Sequence, residues 1–256
     1  MSTAAAPAST DALLEAVVPS STTALPSVPP RWTLLLDYTN GNGLNARWRF
    51  ARDGESSSSQ QVLLLEFRNH STLPFTHISL IKAELTPEQK LLPFQPVTYL
   101  PPNSSGFAQC AIDLGGSRSP LRFHLATDRG AFAVELRPPQ GALLKPMPQS
   151  LEAFESLRKK WSGMNQCNAI IPPPPQPLPM PLLAATALQH MNAAIVADGD
   201  GQPLRLSACA LHDGKPMLAV LEPQPNGAVK LAVHAEDAIG GNILLKELQQ
   251  GLSESA

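Results

Sequence analysis

Charge is scarce in this chain: Asp, Glu, Lys and Arg make up 16% of its 256 residues and leave a formal net charge of −2. So even a balance excludes a general nucleic-acid or anionic-membrane binder, whose affinity rests on clustered Lys and Arg. There are three cysteines, Cys110, Cys167 and Cys209. Odd in number and widely spaced, they exclude a disulfide framework and metal-ligand spacing, and they fit small buried thiols in a reducing compartment. No apolar run reaches the roughly 18–20 residues that cross a bilayer. Residues 1–30 hold no Lys or Arg, which removes the basic start of a secretory signal and the arginines of a transit peptide. A cytoplasmic setting is therefore expected. No Phe, Trp or Tyr follows Trp161, so the remainder of the chain has no aromatic side chain with which to anchor a partner.

What is present divides into three textures. Residues 1–30 are rich in Ala, Ser, Thr and Pro and carry only Asp11 and Glu15 as charges, the composition of a tail or linker. Short apolar stretches then recur between turn signals: Trp32–Tyr38, Leu44–Phe50, Val62–Phe67, Ile78–Leu85, Phe94–Leu100, Phe107–Leu114, Leu121–Thr127 and Ala131–Leu136. Leu44, Ala46, Trp48 and Phe50 alternate with Asn45, Arg47 and Arg49, which is strand period. Short strands at this spacing, punctuated by Asn-Gly, Pro-Pro and Gly-Gly, predict an immunoglobulin-like antiparallel β-sandwich over 31–148.

After Pro138–Pro148 the period changes. Leu151, Phe154, Leu157 and Trp161 recur at helical spacing. Ser150 is the N-cap, Arg158, Lys159 and Lys160 crowd the last turn, and Gly163 stops the helix. A strand at Cys167–Ile171, a proline run at 172–181 and a helix over Leu182–Val196 follow, with Pro181 suited to its first position. Strands are expected at Leu204–Leu211, Met217–Glu222 and Ala228–His234, turned by Asp213-Gly214 and Asn226-Gly227. Asp237 caps a last helix, Ala238–Gln250, that ends at Gly251. The expectation over 149–256 is an α+β platform subdomain with a three- or four-stranded antiparallel sheet. Charge supports two units, since residues 31–160 hold 15 Lys+Arg against 11 Asp+Glu and residues 161–256 hold 4 against 8. Leu151, Phe154, Leu157, Trp161 and Gly163 then mark the junction, with Trp161 packed between the units.

Two stretches carry a resemblance. They are AFAVELRPPQGALLKPMPQSLEAFESLRKKWSGMNQCNAII and KPMLAVLEPQPNGAVKLAVHAEDAIGGNILLKELQQGL. Both resemble the C-terminal appendage of the beta subunit of adaptor protein complex 3, beta-3 adaptin. The resemblance implies a sandwich followed by a platform, with no catalytic residue, cofactor or metal. It implies a protein-interaction module of vesicle-mediated transport, peripheral on Golgi or endosomal membranes. Short peptide motifs of accessory or coat proteins would dock on it during sorting toward lysosome-related organelles, and other adaptor subunits would join only through a trunk. That trunk and the charged serine-rich hinge have no counterpart in this sequence, and the proline run at 172–179 reads as an insertion. Related platforms grip peptides with aromatic side chains, which this one lacks, so the resemblance assigns no ligand-contacting residue.

Other motifs fail on their context. Gly41-Asn42-Gly43 followed by Glu66 mimics a dinucleotide fingerprint, but strand period over 44–50 makes it a hairpin turn. Asp198-Gly199-Asp200 lacks the Gly and Glu that a calcium loop needs further on, where Pro203 and Cys209 stand. Val62-Leu63-Leu64-Leu65-Glu66 imitates a clathrin-binding box inside a core strand. The proline run has P-x-x-P spacing without a flanking arginine. The six histidines make no close pair, and Arg158-Lys159-Lys160 reads as a solvated helix end. The alternative reading is a stand-alone β-sandwich that binds a small ligand or glycan through an exposed aromatic row (Trp32, Trp48, Phe67 or Tyr99), with the platform as a dimerisation element.

Overall fold

In strand β2 (Leu44–Phe50) the alternation becomes geometry: Leu44, Ala46, Trp48 and Phe50 are buried, while Asn45, Arg47 and Arg49 turn the other way. The computed structural model describes residues 31–51, 60–173, 179–197 and 203–254. Around β2 lie β1 (Thr33–Leu36), β3 (Gln60–Asn69), β4 (Ile78–Glu84), β5 (Lys90–Leu92), β6 (Ser105–Asp113), β7 (Leu121–Thr127) and β8 (Gly130–Leu136). They form two antiparallel sheets, β1-β2-β3-β6-β5 and β4-β7-β8. With β1 set aside, the orders β2-β3-β6-β5 and β4-β7-β8 are the A-B-E-D and C-F-G sheets of a constant-type immunoglobulin domain.

The core between these sheets holds Leu44, Trp48, Leu63, Leu65, Phe67, Phe75, Ile112, Leu121, Phe123 and Leu125. Leu63 and Leu65 are fully buried, so the stretch that imitates a clathrin box packs as a core strand. Gly41-Asn42-Gly43 is a turn between β1 and β2, with Asn42 and Gly43 at φ 52° and 95°. One expected strand shifts. Phe94–Leu100 makes only isolated bridges, Ile78 to Val97 and Phe75 to Leu100, and the strand that joins the sheet is β5 just before it. Pro93 and Pro96 lack the N–H groups that a continuous ladder requires.

The second half is built on a six-stranded sheet. Strands β10 (Gln166–Ile171), β14 (Val229–Ala235), β13 (Pro216–Pro223), β12 (Leu204–Ala210) and β11 (Ala194–Ala197) lie in that order, and β9 (Leu144–Pro146) also pairs with β12. Helix α1 (Leu151–Lys160) covers one face of the sheet, where Phe154 and Trp161 meet Leu218, Val220 and Ala232. Helices α2 (Met180–His190) and α3 (Ala238–Glu254) cover the other, against Leu206, Ala219, Leu221, Leu231 and Val233. The alternation along β13 therefore feeds two apolar layers, one on each face.

Three expectations change here. The sheet gains β9 and β11, strands of three and four residues. The helix expected over 182–196 stops at His190, where Met191 turns extended at φ −131°; Ile195 and Val196 are β-branched and favour the strand they join. Helix α3 runs past Gly251 to Glu254, because its absent side chain is the space that the His190 ring of α2 occupies. Asp237 does cap α3, accepting the Ile239 N–H at 3.1 Å. The Asp198–Asp200 motif and residues 174–178 of the proline run lie outside the described residues.

Residues 139–147 tie the halves together. A 3-10 turn, Gln140–Leu143, is wholly buried, with Ala142 and Leu143 in the sandwich core and Leu144 in the platform core. Glu247 on α3 accepts the N–H groups of Gln140 at 2.8 Å and Gly141 at 3.2 Å. Asn192 donates its N–H to the Gly141 carbonyl at 3.3 Å and its amide to Leu144 at 3.0 Å. Arg31 pairs with Glu254 at 2.6 Å. The bonds to Gln140 and Gly141 and the Arg31–Glu254 pair cross from the turn or the sandwich side to α3 or the segment after α2.

Candidate docking surfaces

Helix α1 forms as its capping signals dictate. The Ser150 hydroxyl accepts the Ala153 N–H at 3.2 Å, Glu152 stands in the first turn and Arg158, Lys159 and Lys160 in the last. Gly163 takes φ +82°, outside the ordinary range of other residues. Of the expected junction residues, Phe154 and Trp161 are buried, Leu157 is half-buried and Leu151 is largely exposed. Their partners all belong to α1, to the platform sheet or to Met147. Trp161 therefore lies beneath α1 and not between the two cores. Its side chain fills the groove where the end of the helix meets the sheet, and the segment that bridges the cores, Gln140–Leu144, ends seven residues before the start of α1.

Beside that helix end is a cleft of about 260 Å³, floored by Val220 and Ala232 and lined around them by Arg158, Lys159, Lys230 and His234, with the carboxylate of Glu222 among them. Glu155 is shared between Arg158 at 3.1 Å and Arg205 at 3.0 Å, and Lys230 is 3.6 Å from Glu222. Lys159 is exposed and makes no ion pair among the described residues. An apolar floor under a rim of three cations and one carboxylate, a net positive rim, accepts a small apolar side chain beside a carboxylate or similar anion.

His234 lies buried in the wall of this cleft, its Nδ1 3.4 Å from the Trp161 carbonyl oxygen. Burial pushes its pKa below the ordinary imidazole value; the Trp161 carbonyl opposes this, the Arg158 charge adds to it and Glu155 opposes it. The folded state thus prefers the neutral ring. The unfolded chain takes up the proton near pH 6.5, so the stability this site contributes is complete above that value and is lost as pH falls through the folded pKa. Thermal unfolding should show Tm dropping as pH is lowered through about 6, and His234→Gln should flatten that limb. Equal slopes in the two proteins would assign the titration elsewhere.

A second depression, about 430 Å³, lies where Trp48 and Arg49 of the sandwich face Gln189 and His190 of α2 and Glu247 of α3. Glu247 already binds the 3-10 turn there, so this cleft is part of the seam. The aromatic row of the alternative reading does not assemble: Trp48 and Phe67 are core residues, whereas Tyr99 is exposed and Trp32 half-buried. Cys110 is buried, which raises its pKa to about 11, as expected of a packing thiol.

Comparison with known proteins finds similarity to one group of adaptor subunits. A family model described as the C-terminal region of the clathrin-adaptor complex-3 beta-1 subunit matches residues 1–118. The human AP-3 complex subunit beta-1 is 28% identical over 231 residues, 89% of this chain and 21% of that protein. The mouse AP-3 complex subunit beta-2 is 25% identical over 86% of the chain and 20% of its own length. The AP-3 complex subunit beta of Dictyostelium discoideum is 26% identical over 52% of the chain and 12% of its own length. The chain thus spans about a fifth of the length of the full-length relatives it matches most extensively. Sandwich, platform and these alignments agree: the chain is similar to the C-terminal region of AP-3 complex beta subunits.

Proposed function

We propose that this chain is the protein-interaction appendage of an adaptor-complex beta subunit, recruiting accessory or coat proteins for vesicle-mediated transport toward lysosome-related organelles. The observation that carries the reading is the cleft at the end of α1, where Val220 and Ala232 lie beneath Arg158, Lys159 and Lys230. Recognition would be noncovalent. A short acidic segment would place an apolar side chain on the floor and a carboxylate against Lys159 or Lys230, without the aromatic grip that this platform lacks. Other adaptor subunits would be reached through a trunk outside this chain, and membrane association would be peripheral, through the assembled complex.

The test is affinity purification of the tagged protein from its own cells, run beside a Lys159→Glu/Lys230→Glu variant. Both lysines are exposed, so the fold should survive. Wild type should recover accessory or coat proteins, and the double charge reversal should reduce that recovery at least about tenfold, the loss expected when two charge contacts become repulsive. Recovery unchanged in the variant would move binding off this cleft. A wild-type protein that brings down no trafficking factor would overturn the function itself.

A further inference from the structure

The outer face of the five-stranded sheet is neither packed nor ordinarily polar. Cross-strand register sets Leu34, Arg47, Glu66 and Phe107 in one row across β1, β2, β3 and β6, and Arg49, Leu64 and Gln109 in the next. Leu34 is 54% and Phe107 67% exposed. Trp32 reaches across this face from the edge: its ring lies 6.2 Å from that of Phe107, and the Arg49 guanidinium stands 5.2 Å from it. Glu66, buried at the centre, accepts from Arg47 at 2.6 Å and Arg68 at 2.9 Å. The Nε atoms of Arg47 and Arg49 are buried without an acceptor among the described residues. Lys90 and Asp113 face each other at the far corner and cancel. Among the described residues, Arg47, Arg49 and Arg68 against Glu66 leave three positive charges less one negative, a surplus of two.

The chain itself carries a segment of matching chemistry. Residues 1–30 contain no Lys or Arg, and their two charges are both negative and flank an apolar pair in Asp11-Ala-Leu13-Leu14-Glu15-Ala-Val17-Val18. Thirteen residues separate Val18 from Trp32, a reach of about 40 Å when extended, whereas the sheet from β1 to β6 is only about 14 Å wide. Trp32, the first aromatic of the chain and the second described residue, already lies on this face. The family match begins at residue 1 and so takes in this tail together with β1–β6.

We infer that Asp11–Val18 docks in cis on the outer face of the β1-β2-β3-β6-β5 sheet. Its apolar side chains cover Leu34 and Phe107 beside Trp32, and its carboxylates meet Arg47, Arg49 and Arg68. The tail thereby occupies the face as a tethered ligand, which any acidic–apolar segment of another protein must displace. The inference is independent of the platform cleft, which lies on the other half of the molecule.

Thermolysin cleavage of the tail at Leu13–Leu14 in the full chain, followed by mass spectrometry, tests it. Tethering supplies an effective concentration near the millimolar range, so a segment with even a 0.1 mM affinity is protected about tenfold relative to a free peptide of residues 9–20. Arg49→Glu/Phe107→Ser should abolish the protection. So should Asp11→Lys/Glu15→Lys, which lies in the tail and leaves the sandwich untouched if the first variant misfolds. Cleavage of the wild-type tail at the free-peptide rate would overturn the inference. Protection that grows with protein concentration would overturn it too, by assigning the face to a second copy.

Discussion

Gly141→Ala is expected to cost roughly 3 kcal/mol or more of stability, near the upper range for overpacking. A Cβ at position 141 would fall inside the His190 carbonyl oxygen, 2.7 Å from the carbonyl carbon and 3.2 Å from the Met191 Cα. All three are backbone atoms at the end of α2, so no side chain can swing aside. Relief requires the 3-10 turn to leave α2, and that movement breaks the Gly141 N–H bond to Glu247 and the Asn192 bond to the Gly141 carbonyl. Urea unfolding of the two proteins checks it. A midpoint unchanged within error would mean that the seam is soft enough to accommodate a methyl group. Gly163→Ala is the matched control, because nothing lies within 4 Å of the added atom there and only the positive φ of 82° is penalised, at about 1 kcal/mol.

Phe154→Ala is expected to cost about 3–5 kcal/mol, the range for emptying a fully buried aromatic site. Phe154 is the largest fully buried side chain of the layer that joins α1 to the sheet, so its loss leaves a cavity beneath a helix of ten residues that tertiary packing must hold. We propose that residues 31–148 and 149–256 respond as two units, with β9 and the 3-10 turn as their shared hinge. The indole NMR signals of Trp48 and Trp161 report on one half each. In the variant the Trp161 transition should move to lower urea while the Trp48 transition stays in place. If both move together, the chain unfolds as one cooperative body and the division fails.

The parts of this fold that sequence reveals are those whose signals are local. The alternation through Leu44–Phe50 needs only its own pleat, and Gly214 and Gly227 take positive φ of 70° and 82° in the turns where Asp-Gly and Asn-Gly placed them. The caps of α1 are likewise contained within fourteen residues. What escaped depends on neighbours. Strands β9 and β11 are too short to show a period and exist because β12 offers them an edge. Gly251 reads as a stop until the ring of His190 is seen filling the position of its missing side chain. Trp161 reads as a linker between domains because it follows a domain boundary, yet the α1 C-terminus turns it down onto the platform sheet. The cationic cleft was invisible for the same reason: Lys159 and Lys230 are seventy-one residues apart and meet only because α1 lies across β13 and β14.

The way β12 is flanked has a consequence for solubility. A long uncovered strand offers unpaired N–H and C=O groups to any passing chain, the commonest route to strand-by-strand aggregation. Here one side of β12 is closed along its length by two short pieces, β11 against Arg205–Ser207 and β9 against Ala208–Ala210. Neither piece is long enough to template a further strand, and β9 arrives from the sandwich side of the seam. A platform cut free at residue 149 would therefore expose half of an apolar β12 edge, and the sandwich acts as a covalently attached guard against self-association.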